Sequence, residues 1–486
     1  MKQVLLGCEP AEVFAFFEEL SAIPRGSKNE KAASDYVMEF AKQRGLAASR
    51  DALYNTVVKK PGSPGCESAP AVILQAHLDM VCDKRPDVEF DFEKEGIRLI
   101  KDGDWVRADG TTLGADNGIG VAMVLAVLAS SDLPHPPIEA AFTVQEEIGL
   151  VGARAMDFTQ FEGRMILNLD SDNPDVVTVG CCGGMDFVLR QAVTREQPGD
   201  YTAGVKISLS GLHGGHSGTD ITLNRGSAIK LLGRALNLLS QQVDYRICSV
   251  EGGGKRNAIP RDAQAVIVFP AAAQAAGQQA LEQVLAQIKA ENRDFEPELF
   301  WASEAAPVGS VFCAADMHKL IALLTLYPDG VNTRSYHFDD MAESSTNAGI
   351  LLTDQDGVEL SGMIRSNSAT RHLEIADKFS KLAAAMGLTV EFSGQYPAWE
   401  YNTSSALLGR VKECYRNRTG KEIQIMATHG GLECGLFSDA LPGSQVVSIG
   451  AQIQDLHSPV ERMQISSVGQ AYGLVCDLLE KLANAE

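Results

Sequence analysis

Metal-binding side chains follow apolar runs at several points in this sequence. Residues 75–80 (QAHLDM) overlap the end of the apolar run 71–76, and they carry a histidine and an aspartate two positions apart. In an extended chain, side chains two positions apart point to the same side. His77 can therefore bind a metal ion while Asp79 works beside it.

Two further stretches add carboxylates. The glycine-flanked turn 112–118 (TLGADNG) presents Asp116 just before a buried helix pattern, where one carboxylate can bridge two cations. Residues 143–149 (TVQEEIG) end an apolar run with the adjacent Glu146 and Glu147. Neighbouring side chains diverge in direction, so one of this pair can bind metal while the other takes a proton from a metal-bound water molecule.

An aspartate and a second histidine complete the pattern. Asp170 closes the apolar run 165–169, and His457 lies beside a turn that is stiffened by Pro459. Each motif alone is more often structural, because an acidic pair is usually a solvated face and a lone histidine is usually a surface or satisfied core residue. Their shared position at the ends of apolar runs indicates one site, since α/β proteins bind ligands beyond the carboxyl ends of their strands.

Strand patterns and helix patterns alternate around these motifs. Residues 10–48 have apolar residues at helical spacing, residues 118–128 have the pattern of a buried helix, and the short apolar runs indicate strands. Such alternation predicts an α/β fold in which helices flank a central mixed sheet. Because the same texture returns near residue 397, we predict a discontinuous catalytic domain formed by residues 1–186 and 397–486.

The intervening residues 187–396 have a different texture, and we predict that they form an inserted α+β lid domain that binds substrate. Strand patterns and helix patterns follow one another there, at residues 205–209, 228–239, 265–269 and 273–290. Residues 205–218 precede one helix pattern, and residues 358–366 precede another. This repeated order predicts two related halves in the insert.

Composition excludes several classes of protein. The 486 residues are 45% hydrophobic, which is enough for two or three cores, and no apolar run reaches the length of a membrane-spanning helix. The formal net charge of -21 repels polyanions, so we expect neither nucleic acid nor a membrane among the partners. The 10 scattered cysteines, without an export signal, indicate reduced thiols and a cytoplasmic protein.

Taken together, the motifs resemble those of the M20 family of zinc aminopeptidases and carboxypeptidases, and the likeness extends over nearly the whole chain. Five strings carry it and favour the dipeptidase branch of the family over the deacylases: residues 75–80 (QAHLDM), 111–120 (TTLGADNGIG), 214–218 (GGHSG), 256–261 (RNAIPR) and 431–437 (GLECGLF).

The resemblance implies a centre of two Zn²⁺ ions, for which Co²⁺ or Mn²⁺ can substitute. One cation would be bound by His77 and Asp170, the other by Glu147 and His457, and both by Asp116. The resemblance also implies a cis peptide bond between Asp116 and Asn117.

The same resemblance implies the catalytic groups. Asp79 would orient His77, and Glu146 would be the general base that acts with a metal-bridging hydroxide. His216 would donate a hydrogen bond to the developing oxyanion. If the two halves of the insert mimic two small domains, His216 acts on the site of its own chain rather than on that of a partner.

Substrate binding is expected from the insert and from the C-terminal segment, because a dipeptidase must sense both termini of its substrate. By resemblance, Asn257 and Arg365 would hold the substrate carboxylate, for which a guanidinium fork has suitable geometry. Glu433, in a glycine-rich loop, would either cap a helix or meet the substrate amine.

These expectations predict a di-zinc dipeptidase that hydrolyses dipeptides with a free amino terminus, Xaa-His dipeptides among them. An N-acyl amino-acid deacylase or a carboxypeptidase would use the same metal chemistry on another substrate. A catalytically silent metal- or peptide-binding protein would keep the fold without needing Glu146 or Asp79. The resemblance is compatible with a homodimer.

Overall fold

The computed structural model describes residues 4–484, which form two compact units. The first unit contains the chain up to Gly180, Trp399–Ala427 and the chain from Leu432 onward, and the second contains Cys181–Ala398 and Thr428–Gly431. Among the described residues, no helix combines the length and the apolar character that are needed to cross a membrane. All ten cysteines are free, as expected for reduced thiols.

Some helices begin or end at residues that cap them. At the start of α9 the side chain of Ser405 accepts a hydrogen bond from the backbone N–H of Leu408, and Gly420 ends that helix with a φ of 72°. The α-helices of the described residues are α1 (Ala11–Ser21), α2 (Lys31–Gln43), α3 (Ala115–Ala129), α4 (Val151–Ala155), α5 (Ala228–Ser240), α6 (Gln274–Asn292), α7 (Ala314–Leu326), α8 (Ala369–Met386), α9 (Ala406–Thr419), α10 (Cys434–Ala440) and α11 (Ile465–Ala483).

The strands form several sheets. The strands of the first half of the chain are β1 (Ala47–Arg50), β2 (Thr56–Lys60), β3 (Val72–His77), β4 (Leu99–Asp102), β5 (Trp105–Ala108), β6 (Ile138–Thr143), β7 (Met165–Asn168), β8 (Val176–Cys181), β9 (Gly183–Ala192), β10 (Arg195–Glu196), β11 (Tyr201–Ser210) and β12 (Gly215–His216). Those that follow are β13 (Arg246–Gly253), β14 (Ala258–Ile259), β15 (Ala263–Pro270), β16 (Phe300–Ala305), β17 (Val311–Phe312), β18 (Gly330–Arg334), β19 (Ala342–Thr353), β20 (Gly357–Ser366), β21 (Thr389–Tyr396), β22 (Gln424–Thr428), β23 (Gln445–Ser448), β24 (Ile453–Gln454) and β25 (Arg462–Gln464).

An eight-stranded mixed sheet is the framework of the first unit, with the order β1-β2-β6-β3-β7-β23-β8-β22. The inner strands β6, β3, β7 and β23 run parallel, whereas β1 and β2 continue the sheet antiparallel at one edge. A separate four-stranded sheet has the order β24-β25-β5-β4. The predicted α/β class with a central mixed sheet is therefore confirmed.

Helix α3 is buried on all sides, as its apolar sequence predicts. It packs against β3, α1 and α11. The backbone is non-helical at Asp116 and Asn117, so the regular helix begins at Gly118, as the sequence pattern predicts. The peptide bond between Asp116 and Asn117 is cis, as the resemblance implies.

A nine-stranded sheet is the framework of the second unit, with the main order β16-β11-β15-β13-β19-β20-β9-β21 and with β18 paired to β19. With β18 left out, the main path of the sheet divides at the β13–β19 pair into two halves of four strands each. The four strands of each half can be numbered in the order in which they occur along the chain. Read from the outer edge of the sheet (β16 or β21) toward the centre, both halves then have the spatial order 4-1-3-2. The prediction of two related halves is confirmed at the level of topology.

The predicted correspondence between the halves was wrong. It equated residues 205–218 with residues 358–366, which means β11 with β20. Strand β11 is the first strand of its half, whereas β20 is the third strand of the other half. A strand followed by a helix occurs several times in the second unit, for example β15 before α6 and β20 before α8, so this order does not identify a position.

Both halves of the second unit contribute to one hydrophobic core. Phe187 of β9 stacks on Phe379 of α8 with ring centroids 4.3 Å apart, and both side chains are buried. Helices α5, α6 and α7 add Leu232, Leu281 and Leu320 to the same core. Removal of this apolar surface from water is the main force that stabilises the unit.

We predict opposite effects of two glycine-to-alanine substitutions inside helices. A Cβ atom at Gly120 of α3 would overlap the side-chain oxygen of Asn117 and lie 2.5 Å from the carbonyl oxygen of Leu169, whereas a Cβ at Gly409 of α9 meets nothing within 4 Å. Gly120→Ala is expected to lower the free energy of unfolding by about 1–3 kcal/mol through overpacking. Gly409→Ala is expected to raise it by roughly 0.5–1 kcal/mol, because alanine favours the helix. Urea unfolding of both variants measures the two effects, and a change of the same sign in both would contradict the prediction.

Candidate metal centre

Three neighbouring parallel strands bring most of the predicted ligands to one edge of the mixed sheet. His77 is the last residue of β3, Glu146 and Glu147 follow β6, and Asp170 follows β7. Strand β3 pairs in parallel with both β6 and β7. The carboxyl ends of the three strands therefore meet, which is where α/β proteins bind ligands.

Asp116 lies between the two predicted histidine ligands. Its Oδ1 atom is 3.1 Å from Nε2 of His77, and its Oδ2 atom is 3.1 Å from Nε2 of His457. The same nitrogen of His77 is 3.3 Å from Oδ1 of Asp170, and that of His457 is 3.1 Å from Oε2 of Glu147. Each carboxylate oxygen of Asp116 thus belongs to a different group of side chains.

Two groups of three side chains share Asp116, and each has one potential ligand atom per residue within 4.8 Å of the others. The groups are His77, Asp116 and Asp170, and Asp116, Glu147 and His457. A third group of this kind consists of His77, Glu146 and Glu147. These side chains together form what we call the candidate metal centre. A shared carboxylate between two imidazoles is the arrangement that can hold two cations side by side.

Negative charge dominates the candidate metal centre. Asp116 and Glu147 accept hydrogen bonds from His457 and raise the pKa of its imidazole to about 10. Burial, followed by the charges of Asp116 and Glu147, raises the pKa of Asp170 to about 7. The carboxylates therefore attract positive charge strongly, which is the electrostatic condition for binding a divalent cation.

Asp79 is completely buried and holds the turn that follows β6. Its Oδ1 atom accepts a hydrogen bond from the backbone N–H of Glu146 at 3.0 Å, and its Oδ2 atom accepts one from the N–H of Glu147 at 3.2 Å. The hydroxyl of Ser27 also donates to Oδ2, at 2.8 Å. Oδ1 further lies 3.4 Å from Nδ1 of His77, so Asp79 contacts the histidine as well as the turn.

Glu146 has a pKa well above the ordinary value of a glutamate. Burial is the largest cause, and the negative charges of Asp170, Glu147 and Glu433 add to it, while His77 opposes them. A carboxylate with a raised pKa is a better proton acceptor at neutral pH. Glu146 is therefore a member of the candidate metal centre whose carboxylate has a markedly raised affinity for a proton.

Glu433 is buried directly behind the strand ends, with only 1% of its surface exposed. Its Oε2 atom accepts hydrogen bonds from Nε2 of Gln75 at 2.5 Å and from the hydroxyl of Thr143 at 2.6 Å. Its Oε1 atom is buried without a hydrogen-bond partner among residues 4–484. The side chain makes no capping hydrogen bond to α10, although Glu433 immediately precedes that helix, so the capping alternative is wrong.

Arg365 lies in the second unit, on β20, and is 4% exposed. Its Nε donates to the hydroxyl of Ser217 at 3.2 Å, and its Nη1 donates to the hydroxyl of Tyr396 at 3.1 Å. The Nη2 atom lies 3.4 Å from Nε2 of His216. Sequence analysis identified the arginine and the histidine but missed Ser217 and Tyr396, because neither residue type signals a contact with a guanidinium group from elsewhere in the chain.

The backbone around His216 fixes the orientation of its imidazole. The backbone N–H groups of Gly218 and Thr219 both lie 3.3 Å from Nδ1, which accepts from them. In a neutral imidazole the proton is then on Nε2, so the 3.4 Å contact of Nε2 with Nη2 of Arg365 joins two donors and is not a hydrogen bond. Asn257 is exposed and belongs to the same structure, since its carbonyl oxygen accepts from the N–H of Ser217.

His429 fastens the segment Thr428–Gly431 within the second unit. Its Nδ1 lies 2.9 Å from Oδ1 of Asn367, and its Nε2 lies 2.7 Å from the hydroxyl of Ser345. Nδ1 donates to the amide oxygen, so Nε2 accepts from the hydroxyl and the ring is neutral. Burial, followed by the charges of Arg365 and His216, lowers the pKa of His429 to about 3.

Sequence analysis also missed two buried charged residues of the first unit, Arg25 and Glu461. Arg25 contacts the backbone after His77 and the turn of Asp116, and Glu461 contacts the turn of Asp116. No local pattern marks them, because a buried charge is recognised only by partners that the fold brings from distant parts of the chain.

Comparison with known proteins gives one family over most of the chain. The sequence profile of peptidase family M20/M25/M40 matches residues 73–481. The cytosol non-specific dipeptidase of Escherichia coli (strain K12) is 35% identical over 474 residues, which cover 97% of this chain and 98% of the relative.

Solved structures agree with that result. The crystal structure of an aminoacylhistidine dipeptidase from Vibrio alginolyticus superimposes with a TM-score of 0.89 at 37% identity, and the alignment covers 98% of this chain and 97% of that one. A tripeptidase from Staphylococcus aureus has a TM-score of 0.57 at 17% identity over 98% of this chain and 100% of its own, and this likeness concerns the fold alone.

We predict that His429 makes the protein less stable in mild acid. Its folded pKa of about 3 lies below the value of about 6.5 for an unfolded histidine, so protons bind preferentially to the unfolded chain as the pH falls below 6.5. The stabilising effect of His429 is complete above that pH and is lost at up to about 1.4 kcal/mol per pH unit below it. Compared with His429→Asn, the wild-type protein should therefore lose roughly 2 kcal/mol more between pH 7 and pH 5 in urea unfolding experiments. A difference between the two proteins that stays constant over this range would contradict the prediction.

Proposed function

Since the chain belongs to the M20 family of peptidases, we propose that it is a metal-dependent dipeptidase that uses two divalent cations in the first unit. The observation that carries the proposal is the position of Asp116 between two histidines, with one carboxylate oxygen toward each. The names of the E. coli and V. alginolyticus relatives support dipeptides, Xaa-His among them, as substrates. The name of the E. coli relative also supports the cytoplasm as the place of action.

The donor set of the candidate metal centre fits two zinc ions. We propose that His77 and Asp170 bind one ion, that Glu147 and His457 bind the other, and that Asp116 binds both. Imidazole and carboxylate ligands suit zinc, and Co²⁺ or Mn²⁺ accept the same set. The Oε1 atom of Glu147 is buried without a hydrogen-bond partner among the described residues, which is costly unless a cation compensates its charge.

Glu146 is the proposed general base. When bound, the two cations would activate the attacking water molecule and polarise the scissile carbonyl group. Glu146 takes the proton of the water molecule and delivers it to the leaving amine. The raised pKa of Glu146 favours the first transfer, and Asp79 keeps the backbone of Glu146 in place for both.

The second unit is proposed to recognise the carboxylate of the substrate through Arg365, with Asn257 as a further contact. Ser217 and Tyr396 fix the guanidinium group of Arg365 at two of its nitrogens. His216, with its proton on Nε2, is proposed to donate to the oxyanion that develops on the scissile carbonyl. The contact of Glu433 with the substrate amine stays a prediction, and the bonds to Gln75 and Thr143 already occupy one of its oxygens.

The first test separates the proposed base from the proposed ligand beside it. Glu146→Gln is expected to lower kcat for dipeptides by about 100- to 10,000-fold with zinc still bound, because it removes the proton acceptor and no proposed ligand. Glu147→Gln is the matched control and should reduce the bound zinc itself. The assay uses metal-free and zinc-reconstituted protein with Gly-Gly, Leu-Leu, β-alanyl-histidine, a tripeptide and an N-acetyl amino acid, and elemental analysis measures the zinc.

The outcomes of this assay discriminate among the functional classes. Zinc-dependent cleavage of the dipeptides alone supports the proposal. Cleavage of the acetylated amino acid alone would assign the protein to the deacylases. Bound zinc without cleavage of any substrate would indicate a catalytically silent binding protein.

A second test concerns the substrate carboxylate. Arg365→Lys keeps the positive charge but loses the fork, so kcat/KM for a dipeptide should fall by about 10- to 100-fold, as expected for the loss of a hydrogen bond to a charged group. The corresponding dipeptide amide, which has no carboxylate, should be affected much less. Arg371→Lys, at a half-exposed position of α8, is the matched control and should leave both substrates unchanged. Equal losses for the dipeptide and its amide in Arg365→Lys would show that the arginine does not bind the carboxylate.

A further inference from the structure

The turn that carries Asp116 is folded around the carboxylate of Glu461. The Oε2 atom of Glu461 accepts hydrogen bonds from the backbone N–H of Leu113 at 2.7 Å and of Gly114 at 3.0 Å. Its Oε1 atom accepts from the N–H of Ala115 at 2.9 Å and of Asp116 at 3.4 Å. Four successive backbone donors therefore converge on one side chain.

Such convergence depends on Gly114, whose φ of 69° lies in the left-handed region. Successive N–H groups then point into one concavity, an arrangement known as a nest, which binds anions. Glu461 fills this concavity and is only 2% exposed. The chain thus supplies its own anion to the turn.

Arg25 holds the same turn from its carbonyl side and is 1% exposed. Its Nη1 atom donates to the carbonyl oxygens of Leu78 at 3.0 Å and of Asp79 at 3.1 Å. Its Nη2 atom donates to the carbonyl oxygen of Gly114. One guanidinium group therefore joins the segment after His77 to the turn that carries Asp116.

The glycines of this turn leave space for the arginine. A Cβ atom at Gly114 would lie 2.6 Å from Nη2 of Arg25, and one at Gly118 would lie 2.5 Å from the same atom. Larger residues at either position would displace the guanidinium group. The glycine spacing of residues 112–118 is thereby explained by packing against Arg25.

We infer that Glu461 and Arg25 are positioning residues of the metal centre, which hold Asp116 at the distance from His77 and His457 at which it binds both cations. The inference rests on the proposed function of the first unit. Glu461 is four residues from His457, so the same segment supplies one ligand and the support of the bridging carboxylate. Loss of a group that supports a metal ligand typically weakens metal binding by about 10- to 100-fold.

The test measures zinc affinity separately from stability. In Glu461→Gln the amide group presents an NH₂ toward two of the backbone donors, so about half of the hydrogen bonds to the turn are lost. The zinc dissociation constant should rise by about 10- to 100-fold, measured by competition with a chelator at a temperature at which circular dichroism shows a folded protein. If this variant does not fold, Arg25→Lys serves instead, because an ammonium group cannot reach both segments and the same weakening is expected.

Glu139→Gln is the matched control for a merely structural role. Glu139 is also buried, at 3% exposure, and accepts hydrogen bonds from the backbone N–H of Glu162 and Gly163 near the start of β6, away from the strand end that leads to Glu146. This variant should lose stability without a change in zinc affinity.

Different results would overturn the positioning role of Glu461 and the proposed function. Equal zinc affinities of the wild-type protein and Glu461→Gln, with a loss of stability like that of Glu139→Gln, would overturn the inference alone. Failure of the wild-type protein to bind two zinc ions would overturn the proposed function and the inference with it.

Discussion

Mutual repulsion among carboxylates is the constraint on which the first unit depends. Four acidic side chains converge at the strand ends, namely Asp116, Glu146, Glu147 and Asp170, and two of the resulting groups share a single aspartate. Burial and neighbouring like charges both favour protonation, and together they raise the pKa of Asp170 to about 7. The fold must therefore keep these groups together until positive charge compensates them.

Hydrogen bonds from the backbone keep the carboxylates together against their mutual repulsion. Asp79 holds the turn of Glu146 and Glu147 by two N–H groups, and Glu461 holds the turn of Asp116 by four. A flexible acidic side chain would move away from its neighbours, but a turn whose amides are all occupied has little freedom to do so. Rigid supports of this kind preorganise a site, because folding, and not the binding of a cation, supplies the free energy that is needed to bring the like charges together.

The sequence predicted most residues of the candidate metal centre because their positions follow from a general property of parallel sheets. His77, Asp170 and the glutamate pair each end or follow an apolar run, and such runs are recognisable locally. Glu461 and Arg25 were not recognisable, since their partners come from distant segments and a charged residue is expected at the surface. For the same reason nothing in the local pattern indicates that Thr428–Gly431 belongs with the second unit. The predicted correspondence between the two halves was wrong because a strand followed by a helix occurs several times in the second unit.

The discontinuity of the first unit has a consequence for protein synthesis. Asp116 and His457 are 341 positions apart, and the residues between them include all of the second unit. A nascent chain therefore emerges from the ribosome with Asp116 long before His457 and Glu461, which both contact it. Domains generally fold in the order in which they are made. An incomplete chain consequently lacks part of the candidate metal centre, which is complete only after His457 has been synthesised, beyond the last strand of the mixed sheet.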